Sequence, residues 1–208
     1  MSKVIASVEA GHLLASELFD AHVQAELAAD LDATMETMVD SPHLLNLGSG
    51  SGGVGQEGVR RFYSEQLIGQ FFPPDAEFVP VSRTIDGERL VDEVVIKFTH
   101  TQKIEHLLPA VEPTGRKVTI AVVVIVGLQH EKVAYEHIYW DQAGLLVQLG
   151  LLNPKGLPID PTAPERLLKV MIHESHRSFW CDLKGLSVVS LMLRNLSHRL
   201  LLVSHLYP

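Results

Sequence analysis

Cysteine is almost missing from this chain. Cys181 stands alone among 208 residues, so no internal disulfide can form, and neither a disulfide-stapled secreted domain nor a cysteine-based structural zinc site fits. Basic charge is also short, at 17 Lys and Arg against 25 Asp and Glu, a formal net charge of −8. Such a surface repels phosphate backbones, and no nucleic-acid partner is expected. Long hydrophobic runs are lacking as well. Val118 to Leu128 is too short to cross a bilayer as a helix, and Leu183 to Leu206 is broken by Arg194, His198 and Arg199, so no membrane span is expected. Met1 to Ser7 has no apolar signal-peptide core, which points to a cytoplasmic protein.

Several catalytic signatures are missing too. There is no H-x-x-x-H or H-E-x-x-H pair, no G-x-S-x-G elbow and no phosphate loop ending in G-K-[ST], so zinc hydrolysis, serine hydrolysis and nucleotide hydrolysis lack their motifs. What is present is 46% apolar and 20% charged residues, the composition of an ordinary globular domain with a sizeable core.

Helical periodicity runs from about Val8 to Met38, with Leu14, Leu18, Ala21 and Ala25 at helical spacing. Asp30 is placed to cap a second short helix, and Asp40-Ser41-Pro42 ends it. Gly48 to Gly55 contains a formal G-x-G-x-x-G at Gly48, Gly50 and Gly53. A dinucleotide site needs that motif inside a βαβ unit. No run of such units follows, and a flexible loop is the better reading. A helix with Val59, Phe62, Tyr63 and Leu67 on one face comes next.

From Glu77 the pattern becomes extended. Strands are expected over Glu77–Ile85, Leu90–His100, Lys117–Leu128 and Lys132–Asp141, the first two joined by an Asp86-Gly87 hairpin turn. Gly144 to Leu152 continues or ends the last strand. Helices followed by an antiparallel meander argue an α+β fold. Pro154, Pro158, Pro161 and Pro164 punctuate a linker, and residues 165–208 carry a balance of +3 against −11 for the first 164. The chain therefore reads as a domain over 1–154 and a linker with a Leu- and Ser-rich basic extension over 155–208, helical from Leu186 to Val203.

The densest polar constellation lies on the fourth strand. With a side-chain period of two, Tyr135, His137, Tyr139 and Asp141 share one face, and Glu136, Ile138 and Trp140 the other. Two phenols, an imidazole and a carboxylate suit proton transfer; they equally suit a hydrogen-bonded polar layer or a subunit interface. On the second strand Asp92 and His100 bracket an apolar face, flanking a pocket or sitting at solvated strand ends. His22 and Glu26 stand at i,i+4 on the first helix, either facing a pocket or forming an exposed ion pair. Cofactor-free acid–base chemistry or plain ligand binding remains.

Pro113-Thr114-Gly115-Arg116 before an apolar strand, Glu136 to Asp141, and Gln148-Leu149-Gly150 together resemble the SnoaL-like polyketide cyclases of the NTF2-like superfamily. Gly55-x-x-Gly58 with Arg61-Phe62-Tyr63, and Arg83-Thr84-Ile85 with Val91-Asp92-Glu93, fit the same pattern over roughly residues 15–155. The resemblance implies a cone of curved antiparallel sheet around a long helix, with an apolar pocket. It gives Asp141, seven residues before Gln148, the role of general acid and base, with His137 assisting. Ile138 stands where those cyclases carry a tryptophan, and nothing beyond about Pro164 matches.

These readings lead to a cofactor-independent cyclase or isomerase acting on a polyketide-like or similar small apolar carbonyl compound in secondary metabolism. Asp141 is the expected base, and His137 or Tyr139 the hydrogen-bond donor to the enolate. Tyr135, Tyr139, Asp92, His100, His22 and Glu26 are the expected pocket residues, and no metal or cofactor is expected. The same pocket admits hydrolysis or dehydration. A non-catalytic binding or dimerisation module is the alternative, favoured if His137 and Asp141 face away from any cavity. The outer sheet face, with Val123, Val95 and Trp140 or their neighbours, is expected to bury itself in a homodimer.

Overall fold

The structure is a computed structural model and describes residues 2–175. Cys181 and the helix expected over 186–203 lie outside the described residues. Among the described residues five α-helices and six strands follow one another: α1 (Ser2–Leu27), α2 (Leu31–Glu36), β1 (Met38–Asn46), β2 (Gly52–Val54), α3 (Gly55–Phe62), β3 (Glu77–Asp86), β4 (Arg89–Thr99), β5 (Lys117–Gln129), β6 (Lys132–Trp140), α4 (Gln142–Gln148) and α5 (Ala163–Ser175). A π-helical turn, Tyr63–Leu67, extends α3.

The sheet is six-stranded, curved and unclosed, in the order β2-β1-β6-β5-β4-β3. The meander β3 to β6 is antiparallel as expected. The residues between Met38 and Asn46 are not merely a helix stop and a short apolar piece. They form β1, which lies parallel to β6, with an irregularity between Met38 and His43. Pro42 falls within that irregularity, where the missing N–H costs no ladder bond. The sheet is thus mixed, not wholly antiparallel.

Local chemistry sets the other joints. Asp30 accepts a hydrogen bond from the Ala33 N–H at 3.0 Å and caps α2, as its sequence position anticipates. After β6 the chain turns into a helix instead of continuing as strand, because Asp141 accepts from the Gly144 N–H at 3.0 Å and caps α4. Gln148 then supports the bare edge of β5 beyond the reach of β6. Its amide oxygen accepts from the Thr119 N–H at 2.8 Å, and its amide nitrogen donates to the Thr119 carbonyl at 2.9 Å. The Gln-Leu-Gly segment is therefore a sheet clasp, with Leu149 buried beneath it.

The glycine-rich loop is a packing device. A Cβ on Gly48 would stand 2.3 Å from the Trp140 ring, and one on Gly53 would stand 2.2 Å from the Gly58 carbonyl oxygen. Gly53 permits β2 and the start of α3 to cross at backbone contact. Gly53→Ala is expected to lower stability by about 1–3 kcal/mol through overpacking against main chain. A thermal unfolding midpoint within a degree of the parent would contradict this.

The helix α1 lies on the inner sheet face through Ala15, Phe19, His22, Val23 and Glu26, all buried. This is not the apolar stripe that the sequence suggests, since Leu14 is 42% exposed. The buried stripe of α1 contains a histidine and a glutamate, and that choice builds the site.

Candidate functional site

A cavity of about 1040 Å³ opens between the inner sheet face and α1. Phe19, Phe71, Phe72, Phe78, Val122 and Ile138 give it apolar walls. Leu167, Val170 and Met171 of α5 also line it, so a segment beyond the 154 boundary contributes to the wall. A space of this size, mostly apolar with a few polar groups, has the form of a small-molecule site.

Glu26 from α1 and Glu136 from β6 line this cavity, and His22 stands between them. The His22 Nε2 lies 2.8 Å from Glu136 Oε1 and 3.3 Å from Glu26 Oε1. The Tyr63 hydroxyl is 3.0 Å from the same Nε2 and donates to Glu136 Oε1 at 3.3 Å. Behind the imidazole, Nδ1 sits 2.6 Å from the Thr37 hydroxyl. That hydroxyl already donates to the Thr34 carbonyl, so it accepts from Nδ1–H. The ring is thereby fixed with Nε2 turned to the carboxylates.

Charge in this cluster is governed by burial and by the pair of acids. Burial alone would strip the proton from His22, but the charges of Glu136 and then Glu26 outweigh it and raise its pKa to about 10. His22 is an imidazolium at neutral pH. Burial raises the Glu26 carboxyl above its ordinary range, against the opposing pull of His22. Burial likewise pushes the Tyr63 phenol well up. His22, Glu26 and Glu136 also offer ligand atoms within 4.8 Å of one another, so the centre of the cluster suits a proton or a cation.

At the rim, Arg83 forms a two-pronged pair with Asp92, with both N···O distances at 2.6 Å. It also donates to Asp20 at 3.0 Å and to the Ser16 hydroxyl at 2.7 Å. This network ties β3 and β4 to α1 and commits the Asp92 carboxylate to structure.

The expected residues divide as follows. Glu26 and Asp92 line the cavity, and His22 is buried between Glu26 and Glu136. His137, Tyr135 and Tyr139 project from the opposite face of β6, because Glu136, Ile138 and Trp140 are the residues that line the cavity. There, the His137 Nε2 meets the His43 Nε2 at 2.9 Å, and Tyr135 stacks on both rings. Asp141 borders only a small separate cleft and is occupied as the α4 cap. His100 is fully buried beyond the end of β4, where Thr114 contacts its Nδ1 at 3.2 Å. It is not among the cavity-lining residues. The expected base and its partner thus stand away from the main cavity, whereas Glu136, Arg83 and His106 line it and Tyr63 joins the cluster behind. For Glu136 the sequence signal was an acid in the middle of a strand whose other inner residues, Ile138 and Trp140, are apolar.

No protein-family model matches the chain, and no curated protein matches it by sequence. Solved structures do. A chain assigned as a SnoaL-like polyketide cyclase from Jannaschia sp. CCS1 superposes with a TM-score of 0.54 at 16% identity, over 68% of this chain and 95% of that one. IdmH of Streptomyces antibioticus, assigned as a polyketide cyclase, gives 0.49 at 19% identity, over 65% and 97%. AclR of Streptomyces galilaeus, assigned as a hydroxylase, gives 0.49 at 18%, over 76% and 95%. The chain has the NTF2-like fold, and the resemblance read from its sequence holds at the level of fold. Among the described residues no helix is long and apolar enough to cross a membrane.

Proposed function

We propose that this chain is a cyclase or isomerase that takes a small, largely apolar carbonyl compound into the cavity and moves its protons by acid–base chemistry, without a cofactor. The observation that carries the reading is the pair of carboxyls, Glu26 and Glu136, lining an otherwise apolar cavity with a buried imidazolium between them. A general base works best when its pKa lies close to the working pH, and burial moves Glu26 in that direction. Glu26 takes a proton from the carbon next to the substrate carbonyl, leaving an enolate. It then returns that proton at another carbon in an isomerisation, or keeps it until a carbon–carbon bond has closed. His22 and Tyr63 are positioning residues: they hold the carboxylates and steady the changing charge from behind.

The test needs no knowledge of the natural substrate. α-Tetralone incubated with the protein in heavy water is expected to exchange its α-hydrogens for deuterium faster than in buffer, as followed by proton NMR. Exchange at the buffer rate would count against the enzyme and favour the binding-module alternative. The placement of His137 and Asp141 away from the main cavity would otherwise support that alternative, and the carboxyl pair tips the balance towards catalysis.

A homodimer through the outer sheet face belongs to the same proposal. Leu45 and Tyr139 are 38% and 42% exposed there, and Val123 pairs with Tyr139 across the strands. Val95 is fully buried and Trp140 turns into the cavity, so neither contributes. Val123→Glu is expected to halve the mass seen by light scattering. A parent chain that is already monomeric would end this part of the proposal.

A further inference from the structure

His43 on β1 and Tyr135 on β6 are direct partners across the two strands, as are Leu45 and His137. The rings of His43 and His137 converge on the outer sheet face until their Nε2 atoms stand 2.9 Å apart. Tyr135 braces both, with ring centroids 5.1 Å from His43 and 4.8 Å from His137. Tyr135 itself lies over Gly127, where a Cβ would stand 2.0 Å from its ring. The three side chains are half-buried, and Leu45 and Tyr139 on the same face are exposed. Tyr135 and His137 belong to the polar set that stands out on β6 in the sequence, and the cavity makes no use of them. Like charges at this distance repel, so at least one imidazole is neutral and presents a lone pair. A hydrogen bond between the two Nε2 atoms uses one proton. Once that proton is carried on Nδ1 instead, both lone pairs are free for a shared partner.

We propose that His43 and His137 form a binding site for a divalent copper or nickel ion, held by the two Nε2 atoms with water in the remaining positions. The spacing selects the kind of ion. With bonds of about 2.0–2.1 Å, nitrogens 2.9 Å apart subtend about 90° at a shared metal. That is the angle between neighbouring positions of a square-planar or tetragonal site, the geometry in which imidazoles hold Cu²⁺ and Ni²⁺. A tetrahedral ion such as Zn²⁺ would spread the same atoms to about 3.3 Å. The brace supplies the second half of the argument. Tyr135 stacks on both rings and is itself seated on Gly127, so the two ligands are held together before the ion arrives and little freedom is lost on binding. The site does not rest on the catalytic reading, because β6 turns Glu136 and Ile138 to the cavity and His137 to the other side.

The experiment titrates the full chain with Cu²⁺, Ni²⁺ and Zn²⁺ at neutral pH, by calorimetry and by NMR of the imidazole signals. Paramagnetic Ni²⁺ is expected to broaden His43 and His137 before the other histidines. Cu²⁺ is expected to bind more tightly than Ni²⁺ or Zn²⁺, with nitrogen couplings from both imidazoles in its electron paramagnetic resonance spectrum. His43→Asn and His137→Asn are each expected to weaken Cu²⁺ binding by about 10²-fold, because the second ligand no longer acts at a high effective concentration. The homodimer proposed above would pass over this face, so the same titration is run on Val123→Glu, which supplies the separated chain. Cu²⁺ affinity that survives both histidine substitutions overturns the proposal. So does Ni²⁺ broadening that falls first on other histidines, or that spares His43 and His137 in both the parent and Val123→Glu. These last two readings need neither histidine variant to fold. Tetralone exchange at the buffer rate would end the catalytic reading and leave this site standing.

Discussion

Glu26→Gln is expected to reduce tetralone exchange by about 10²–10⁴-fold, the usual contribution of a positioned base, while leaving the fold intact. The amide has the shape of the carboxyl and no basicity. Burial already disfavours the ionised form of Glu26, so a neutral group of the same size sits in that environment at little cost. Glu136→Gln is expected to behave differently. Glu136 is the nearer partner of His22, at 2.8 Å, and the larger of the two charges that hold its proton. Its neutralisation lets burial pull the His22 pKa down from about 10, and the variant's activity should then fall at a lower pH than the parent's. A Glu26→Gln protein with parental exchange would remove Glu26 from the chemistry. Parallel pH profiles for the parent and Glu136→Gln would remove the assigned role of His22.

Much of the fold was legible because its signals are local. The Asp86-Gly87 turn and the β-branched runs on either side place β3 and β4 to within a residue or two of the expectation. Five consecutive β-branched residues from Val122 to Val126 mark β5 at the middle of the sheet. Asp30 divides α1 from α2 through a bond to its own neighbourhood. The strand β1 was hidden because its pairing is parallel and reaches across to β6, and because Pro42 reads as a stop in any local pattern. The helix α4 was hidden for a related reason: Leu145 to Leu149 suits a strand as well as a helix, and the Asp141 cap decides between them.

The site was harder to read than the fold, and one assumption accounts for most of it. Charged residues are seldom buried, so His22 and Glu26 allow an exposed reading, and the polar face of β6 draws attention to His137 and Asp141. The structure buries the other set, because each member is matched by another from a distant element: His22 on α1, Glu136 on β6 and Tyr63 after α3. No single stretch of sequence contains that match. Asp141, which family resemblance made catalytic, caps α4, and the Gln-Leu-Gly that located it clasps the sheet. Those residues support the fold, which explains why they identify it well.

The removal of His22 is the severest test of this cluster. His22→Phe is expected to destabilise the protein by about 3–5 kcal/mol near neutral pH, because two buried carboxyls lose the cation between them. The parent's own pH dependence has a definite sign. The folded pKa of His22 is raised from 6.5 to about 10, so its stabilising contribution is complete below about pH 6.5 and disappears as pH rises towards 10. Glu26 is raised as well and acts in the same direction above its ordinary range. On the acid side His106 is lowered to about 4, and His43 and His100 are also lowered, chiefly by burial. Folding therefore loses stability as pH falls from about 6.5 towards 4. Urea unfolding across this range should show a maximum near pH 6.5 and a decline on both sides. In His22→Phe the part of the alkaline decline that His22 supplies should vanish, and the deficit against the parent should shrink at low pH as the carboxyls take up protons. Adding Glu136→Gln to His22→Phe should recover part of the loss by removing one uncompensated charge, a non-additivity that a double-mutant cycle measures directly. A parent whose stability is flat or rising between pH 7 and 10 would show that His22 does not hold its proton, and the cluster would then need a different ion at its centre.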